Sequence, residues 1–229
     1  MGGGSLMSYM PELFEFFEEL SHNNCKDWLD KNRDRYHRLR DLWLADVDRL
    51  IEAASQWEPA LKGTTAREAA YRFHRDIRFS PDKSPYKLFF SAAFGPFGKK
   101  SEHAGYYLDT GLPALYDSGL YAGVWCPSAP VLRKLRHAIV DNIEEFEEIL
   151  ADKKLNKLFP GWVGEELKTI PKGWERDHPQ AELLKRKDYG KYMKCTPEWF
   201  KNPDWPLRAS DAMSVTKPLV DFLNYSIDE

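Results

Sequence analysis

The sequence lacks any apolar run near the ~20 residues that a membrane-spanning helix needs, so no membrane partner is expected. Cysteine is scarce: Cys25, Cys126 and Cys195 are widely spaced and form no C-x-x-C pair. An odd, scattered set excludes a disulfide scaffold and fits a reduced, cytoplasmic protein. Zinc would need cysteines converging from three distant segments, so neither a metal nor a cofactor is expected. Cys126, between Trp125 and Pro127 with no basic neighbour, reads as a buried thiol. Positive charge is not in excess, since 33 Lys and Arg meet 36 Asp and Glu for a net charge of -3. Bulk charge therefore gives nucleic acid little to bind. The start has neither a basic n-region nor an apolar core, so no secretory signal is read. Met1 to Leu6, M-G-G-G-S-L, reads as a leader outside the fold. A phosphate-binding loop is missing as well. Gly95 to Ser101, G-P-F-G-K-K-S, has Ala93 where that motif needs its first glycine, and it reads as a hairpin turn.

Aromatic residues are abundant: eight Trp, eleven Tyr and thirteen Phe in 229 residues. Many must be buried, and the chain is long enough to do so in one domain, expected over residues 7–229. Helical spacing of Leu13, Phe14, Phe16, Phe17 and Leu20 predicts an amphipathic helix over 10–20. A second helical region starts near Cys25, with a bend expected near residues 40–42, and runs to about Trp57. Its interleaved charges, Arg33, Arg35, Arg38 and Arg40 among Asp27, Asp30, Asp34 and Asp41, read as salt-bridge support. Leu88 to Gly95, His103 to Leu112 and Gly119 to Cys126 read as strands joined by short turns, hence antiparallel. Glycines inside them predict bulges or close backbone approach. Ser128 opens a helix to about Leu150 whose basic start, Arg133, Lys134, Arg136 and His137, runs against the helix dipole. Beyond Ala151 come Pro-punctuated, Trp-rich pieces, a short helix over 180–187, and a last helix capped by Ser210-Asp211. The expected fold is α+β: an antiparallel sheet of about four to six strands flanked by helices, with an irregular Trp/Pro-rich C-terminal wrap.

The stretch that invites chemistry is Tyr71 to Lys87, Y-R-F-H-R-D-I-R-F-S-P-D-K-S-P-Y-K. Arg72, Arg75, Arg78, Lys83 and Lys87 face only Asp76 and Asp82, a local charge of +3 inside an acidic chain. Read as a strand over 71–79, it places Phe73, Arg75, Ile77 and Phe79 on one face. A guanidinium among three apolar side chains needs an anionic partner. Asp76 points to the other face, so the partner comes from elsewhere in the chain or is a ligand; Asp109 is the preferred internal one. A guanidinium fork also suits a carboxylate or phosphate, with Lys83 and Lys87 adding charge and Tyr86 a hydroxyl. A ligand site of Arg72, Arg75, Arg78, Asp82, Lys83, Tyr86, Lys87 and Asp109 is therefore expected. Asp76 and His178, a loop histidine beside Asp177, are the candidates for moving protons.

R-F-H-R-D-I-R-F-S-P-D-K-S-P-Y, from Arg72 to Tyr86, resembles the signature of a mainly bacterial family, domain of unknown function 2461. N-N-C-K-D-W-L near the start, G-Y-Y-L in the middle and P-K-G-W-E-R-D-H-P late in the chain resemble the same family, so the likeness runs from about Leu13 to Leu223. Leu29 stands where an aromatic is expected. The resemblance implies kinship and names no reaction. The function expected is binding of, or catalysis on, a small anionic metabolite, phosphorylated ones included. The alternatives are nucleic-acid binding through the same cleft, and a structural ion-pair network in a non-enzymatic interaction protein. Whether the chain is an enzyme, and its oligomeric state, are left open by the sequence.

Overall fold

A computed structural model describes residues 8–112 and 117–229. Among them the chain forms, in order, α1 (Met10–His22), α2 (Lys26–Lys31), α3 (Arg33–Ala54), α4 (Ala66–Ala69), β1 (Phe89–Phe94), β2 (Gly105–Gly111) and β3 (Gly119–Val124). Then follow α5 (Ala129–Asp141), α6 (Ile143–Leu150), α7 (Lys153–Leu158), α8 (Ala181–Leu184), β4 (Tyr189–Lys194), α9 (Pro197–Lys201), α10 (Trp205–Ser214) and α11 (Lys217–Asp228). The fold is α+β, with one antiparallel sheet in the order β1-β2-β3-β4. No helix among the described residues is long and apolar enough to cross a membrane.

Several boundaries differ from expectation for identifiable reasons. The bend in the second helical region falls at Asn32, whose amide and side chain both donate to the Trp28 carbonyl. Asn142 breaks the helix after Ser128 in the same manner, its side chain returning to the Ala138 carbonyl. Ser210 lies inside α10 instead of capping the last helix; its hydroxyl accepts from Trp57 Nε1 at 3.0 Å. The short helix expected over 180–187 shrinks to α8. The region 71–79 is not a strand, and β4 was not expected.

Contacts divide the chain into two compact units. The first holds the described residues of Met1–Phe94, Tyr107–Leu120 and Lys194–Asp211; the second holds Gly95–Tyr106, Tyr121–Met193 and Ala212–Glu229.

In the first unit, the stripe on α1 buries Leu13, Phe16, Phe17 and Leu20 completely. Phe90 of β1 is the hub of the aromatic core, meeting Phe17 edge-on at 5.1 Å, Trp43 at 5.5 Å and Phe73 at 5.6 Å. Buried polar ends find partners, as they must. Trp43 Nε1 donates to Thr110 Oγ1 at 3.1 Å, and Asp46 accepts from Tyr9 at 3.1 Å and Trp205 at 3.0 Å. The mixed charges of α3 serve α1, since Arg35 pairs with Glu19 at 2.9 Å and reaches Glu12 and Glu15 at 3.4 Å.

In the second unit, Leu135, Ile139 and Phe146 are buried with Leu219 and Leu223 of α11, and Phe146 meets Phe222 at 5.0 Å. Asn224 pairs with both backbone groups of Ala104, at 2.7 and 3.1 Å. Gly123 sits at φ +138, where a Cβ would come 2.1 Å from the Tyr189 carbonyl oxygen, so the close approach of backbone demands glycine there. Cys126, expected to be buried, is exposed with φ 47; Trp125 and Pro127 flank it in sequence without covering it.

Candidate functional site

Residues 71–87 fold as a loop with two short arms. Lys87 N donates to the Phe73 carbonyl at 3.0 Å and Arg75 N to the Pro85 carbonyl at 2.8 Å, with a single bridge between His74 and Tyr86. Asn24 holds the returning arm by accepting from Tyr86 N at 3.1 Å and donating to its carbonyl at 2.9 Å. Pro81 and Pro85 remove two donors that a continuous ladder would need. The expected alternation survives as far as Ile77, but Phe79 is 92% exposed and so leaves the apolar face. Phe73 anchors the loop, stacked between Tyr36 at 4.8 Å and Tyr86 at 5.4 Å.

The tip of this loop is locked from within. Arg75 Nη1 meets Asp82 Oδ2 at 2.5 Å and the Ser84 carbonyl at 3.0 Å, while Nη2 reaches Ser80 Oγ at 3.3 Å. The negative partner that Arg75 requires is thus seven residues downstream in its own loop. Asp82 also accepts the Ser84 amide at 2.9 Å, an Asx turn. These Ser84 bonds, and then the Arg75 guanidinium, push the Asp82 carboxyl down to about 2. Arg78 forks onto Asp76 at 2.7 and 3.0 Å. That bond holds the Asp76 carboxyl below its usual range, which keeps it ionised and makes it a poor proton donor. Lys83 Nζ closes the tip by donating to the Ile77 carbonyl at 2.9 Å. Asp109, expected as an internal partner of these arginines, instead accepts the Gly119 amide at 2.7 Å. Chain geometry explains the change: a seven-residue turn returns Asp82 to Arg75, so no distant carboxylate is needed.

The base of the loop is different. Arg40, on α3, donates from Nη2 to the Tyr71 carbonyl at 2.9 Å. Its guanidinium lies over Phe90 at 4.7 Å and Trp43 at 5.1 Å, and its Nη1 is buried with no hydrogen-bond partner. Burial lowers its pKa, although an arginine stays charged throughout. Lys87 Nζ sits over the rings of Tyr71 at 5.6 Å and Phe89 at 5.8 Å. Burial first, then the charges of Arg72 and Arg40, depress the Lys87 amine below its ordinary value. Neither the Lys87 nor the Arg72 side chain makes a hydrogen bond or ion pair with a described residue; Arg72 only adds an electrostatic pull on Asp76. Asp41, the carboxylate whose charge Arg40 feels, pairs with Arg67 at 3.8 Å. Three cations therefore crowd together with no carboxylate of the described residues bonded to any of them.

Sequence reasoning missed Arg40, hidden among the other charges of α3. The signal was present: Tyr36, Arg40 and Trp43 lie at helical spacing on the buried side, so an arginine interrupts an apolar face. Tyr86 is buried and serves as a stacking platform. His178 belongs to the second unit, where its Nδ1 accepts the Gln180 amide at 3.0 Å and its ring meets Trp174 edge-on at 5.2 Å. It shapes a turn there. Among the described residues no three His, Cys, Asp or Glu side chains are grouped so as to hold a metal ion. Cys195 is buried and its thiol is pushed up to about 12 by burial.

The family described as "Conserved hypothetical protein (DUF2461)" matches residues 12–222. The chain belongs to the DUF2461 family. That match contains the whole 71–87 loop and Arg40 with it, so the paired tip and the unpaired base both lie in family sequence. No curated protein and no solved structure matches the chain.

Proposed function

We propose that this protein binds a small anionic metabolite, through its phosphate or carboxylate group, at Arg40, Arg72 and Lys87. One observation carries the reading: Arg40 Nη1 is buried without a hydrogen-bond partner, near a lysine whose amine is depressed by burial first and then by the charges of Arg72 and Arg40. Taking a charge out of water costs on the order of several kcal/mol unless it is paired. Stacking on Phe90 and Trp43 offsets part of that cost. An oxyanion meeting Arg40 Nη1 and Lys87 Nζ would relieve both the unmade hydrogen bond and the repulsion. The Tyr71 and Phe89 rings under Lys87 give such a ligand an apolar wall.

Arg75, Arg78, Asp82 and Lys83 have a supporting role in this reading: they hold the loop that presents Arg72 and Lys87. The structural-network alternative thus applies to the tip, and anion binding to the base. A thermal-shift screen with phosphorylated and carboxylated metabolites tests the proposal, because a ligand bound only by the folded state raises its melting temperature. A rise is expected that disappears in the double variant Arg72→Ala, Lys87→Ala. A panel without any stabilising anion, or the same rise in the double variant, would count against it. A rise produced by single-stranded oligonucleotides alone would favour the nucleic-acid alternative.

A further inference from the structure

The second unit contains a separate cationic cavity. A space of about 260 Å³ is lined by Leu132, Arg133, Arg136 and His137 of α5 and by Lys172 and Trp174 of the following irregular segment, among others. This is just under the roughly 300–1,000 Å³ of ordinary ligand pockets, so it suits a molecule smaller than a drug. No acidic side chain lines it. The side chains of Arg133, His137 and Lys172 make no hydrogen bond or ion pair with a described residue. Arg136 is held by a bond from Nη2 to the Arg186 carbonyl at 2.8 Å and by the Tyr189 hydroxyl, while its Nε is buried with no partner.

Arg133 lies in the second turn of α5, counted from its N-terminal end, and Arg136 just beyond it; no described carboxylate pairs with either. The acid near that end, Glu102, accepts the Ser128 amide at 2.8 Å. Opposite the cations, Trp174 forms a wall, tilted on His137 at 4.9 Å and braced by His178 at 5.2 Å. The His178 ring is fixed in turn by the bond from the Gln180 amide to its Nδ1.

We infer that this cavity is a second binding site, distinct from the Arg40–Lys87 cluster, for a small organic anion with an aromatic or apolar body. The acidic group meets Arg133, Arg136 and Lys172. The body lies against Trp174 and Leu132. The Pro171-Lys172-Gly173-Trp174 turn supplies both a cation and the aromatic wall, which gives that sequence a purpose beyond wrapping the fold.

Isothermal titration with phenyl phosphate, and with benzyl alcohol as the neutral control, tests the inference. The expected result is saturable one-to-one binding of phenyl phosphate by the Arg72→Ala, Lys87→Ala variant, in which the first site is disabled. Arg133→Ala with Lys172→Ala, in that same background, should weaken it at least about tenfold, the scale of one lost charge-assisted hydrogen bond. Lys172→Glu alone, at an exposed position, should do likewise, which guards against a misfolded double variant. Absence of saturable binding, equal binding of benzyl alcohol, or full affinity in Lys172→Glu would overturn the inference. Because the first site is already disabled, failure here leaves the proposal for Arg40 and Lys87 standing.

Discussion

The tip and the base of the 71–87 loop contain the same residue types, yet they differ in kind. At the tip, Arg75 and Arg78 are each matched with a carboxylate two to seven residues away. At the base, Lys87 feels the charges of Arg72 and Arg40, and no described carboxylate is bonded to any of the three. Charge content does not separate the two halves, because both are basic and aromatic. What separates them is turn geometry: an Asx turn at Asp82 folds an acid back onto Arg75, whereas helix α3 brings a third cation to the base. A basic motif therefore reads as structure or as site only once its carboxylates are located.

Substitutions separate the two halves experimentally. The largest effect is expected at Phe73, which is buried between Tyr36 and Tyr86 and supports both halves. Phe73→Ala should cost about 3–5 kcal/mol in chemical denaturation, the usual range for a buried phenylalanine. A loss under about 1 kcal/mol would mean that the loop does not depend on this stack. Lys87→Met should leave the melting temperature unchanged or raise it, since it removes repulsion from a half-buried cation, while abolishing stabilisation by anions. A clear drop in melting temperature without ligand would place Lys87 in the structural half instead.

Acid should act on the tip alone. The Asp82 carboxyl is depressed in the fold, so the stability it provides is fully present above its unfolded value of about 4. That stability is lost as pH falls toward about 2. Comparing wild type with Asp82→Asn between pH 6 and pH 2, the difference in stability should shrink steeply towards the acid end; a constant difference would mean that ionisation is irrelevant to the lock. The smallest effect is expected from Arg78→Ala, because the Arg78 and Asp76 side chains are both well exposed and such pairs contribute little. Its melting temperature should match wild type.

Much of the fold was legible in the sequence where one physical signal dominated. The α1 stripe, the three strands β1 to β3 and the start of α5 follow from periodicity and turn residues. β4 was obscured because Lys191 sits in it and is nearly fully buried, its Nζ reaching the Phe159 and Gly161 carbonyls at 3.4 and 3.1 Å over the Trp162 ring. A buried lysine satisfied by loop carbonyls leaves no periodic trace. The proposed site was half legible. Arg72 and Lys87 stood out by local charge, but the strand reading hid the return of Asp82 to Arg75. Arg40 was overlooked because it was counted with the exposed arginines of α3 and not against its own helical face.

Lys87 Nζ is the group on which the proposed anion binding at the base turns. Titration of Lys87 Nζ by heteronuclear NMR, without and then with saturating phosphate, measures it directly. The expected result is a pKa below that of an ordinary lysine in the free protein, rising when phosphate binds. An ordinary value that phosphate leaves unmoved would mean that Lys87 is neither crowded by Arg40 and Arg72 nor in contact with an anion.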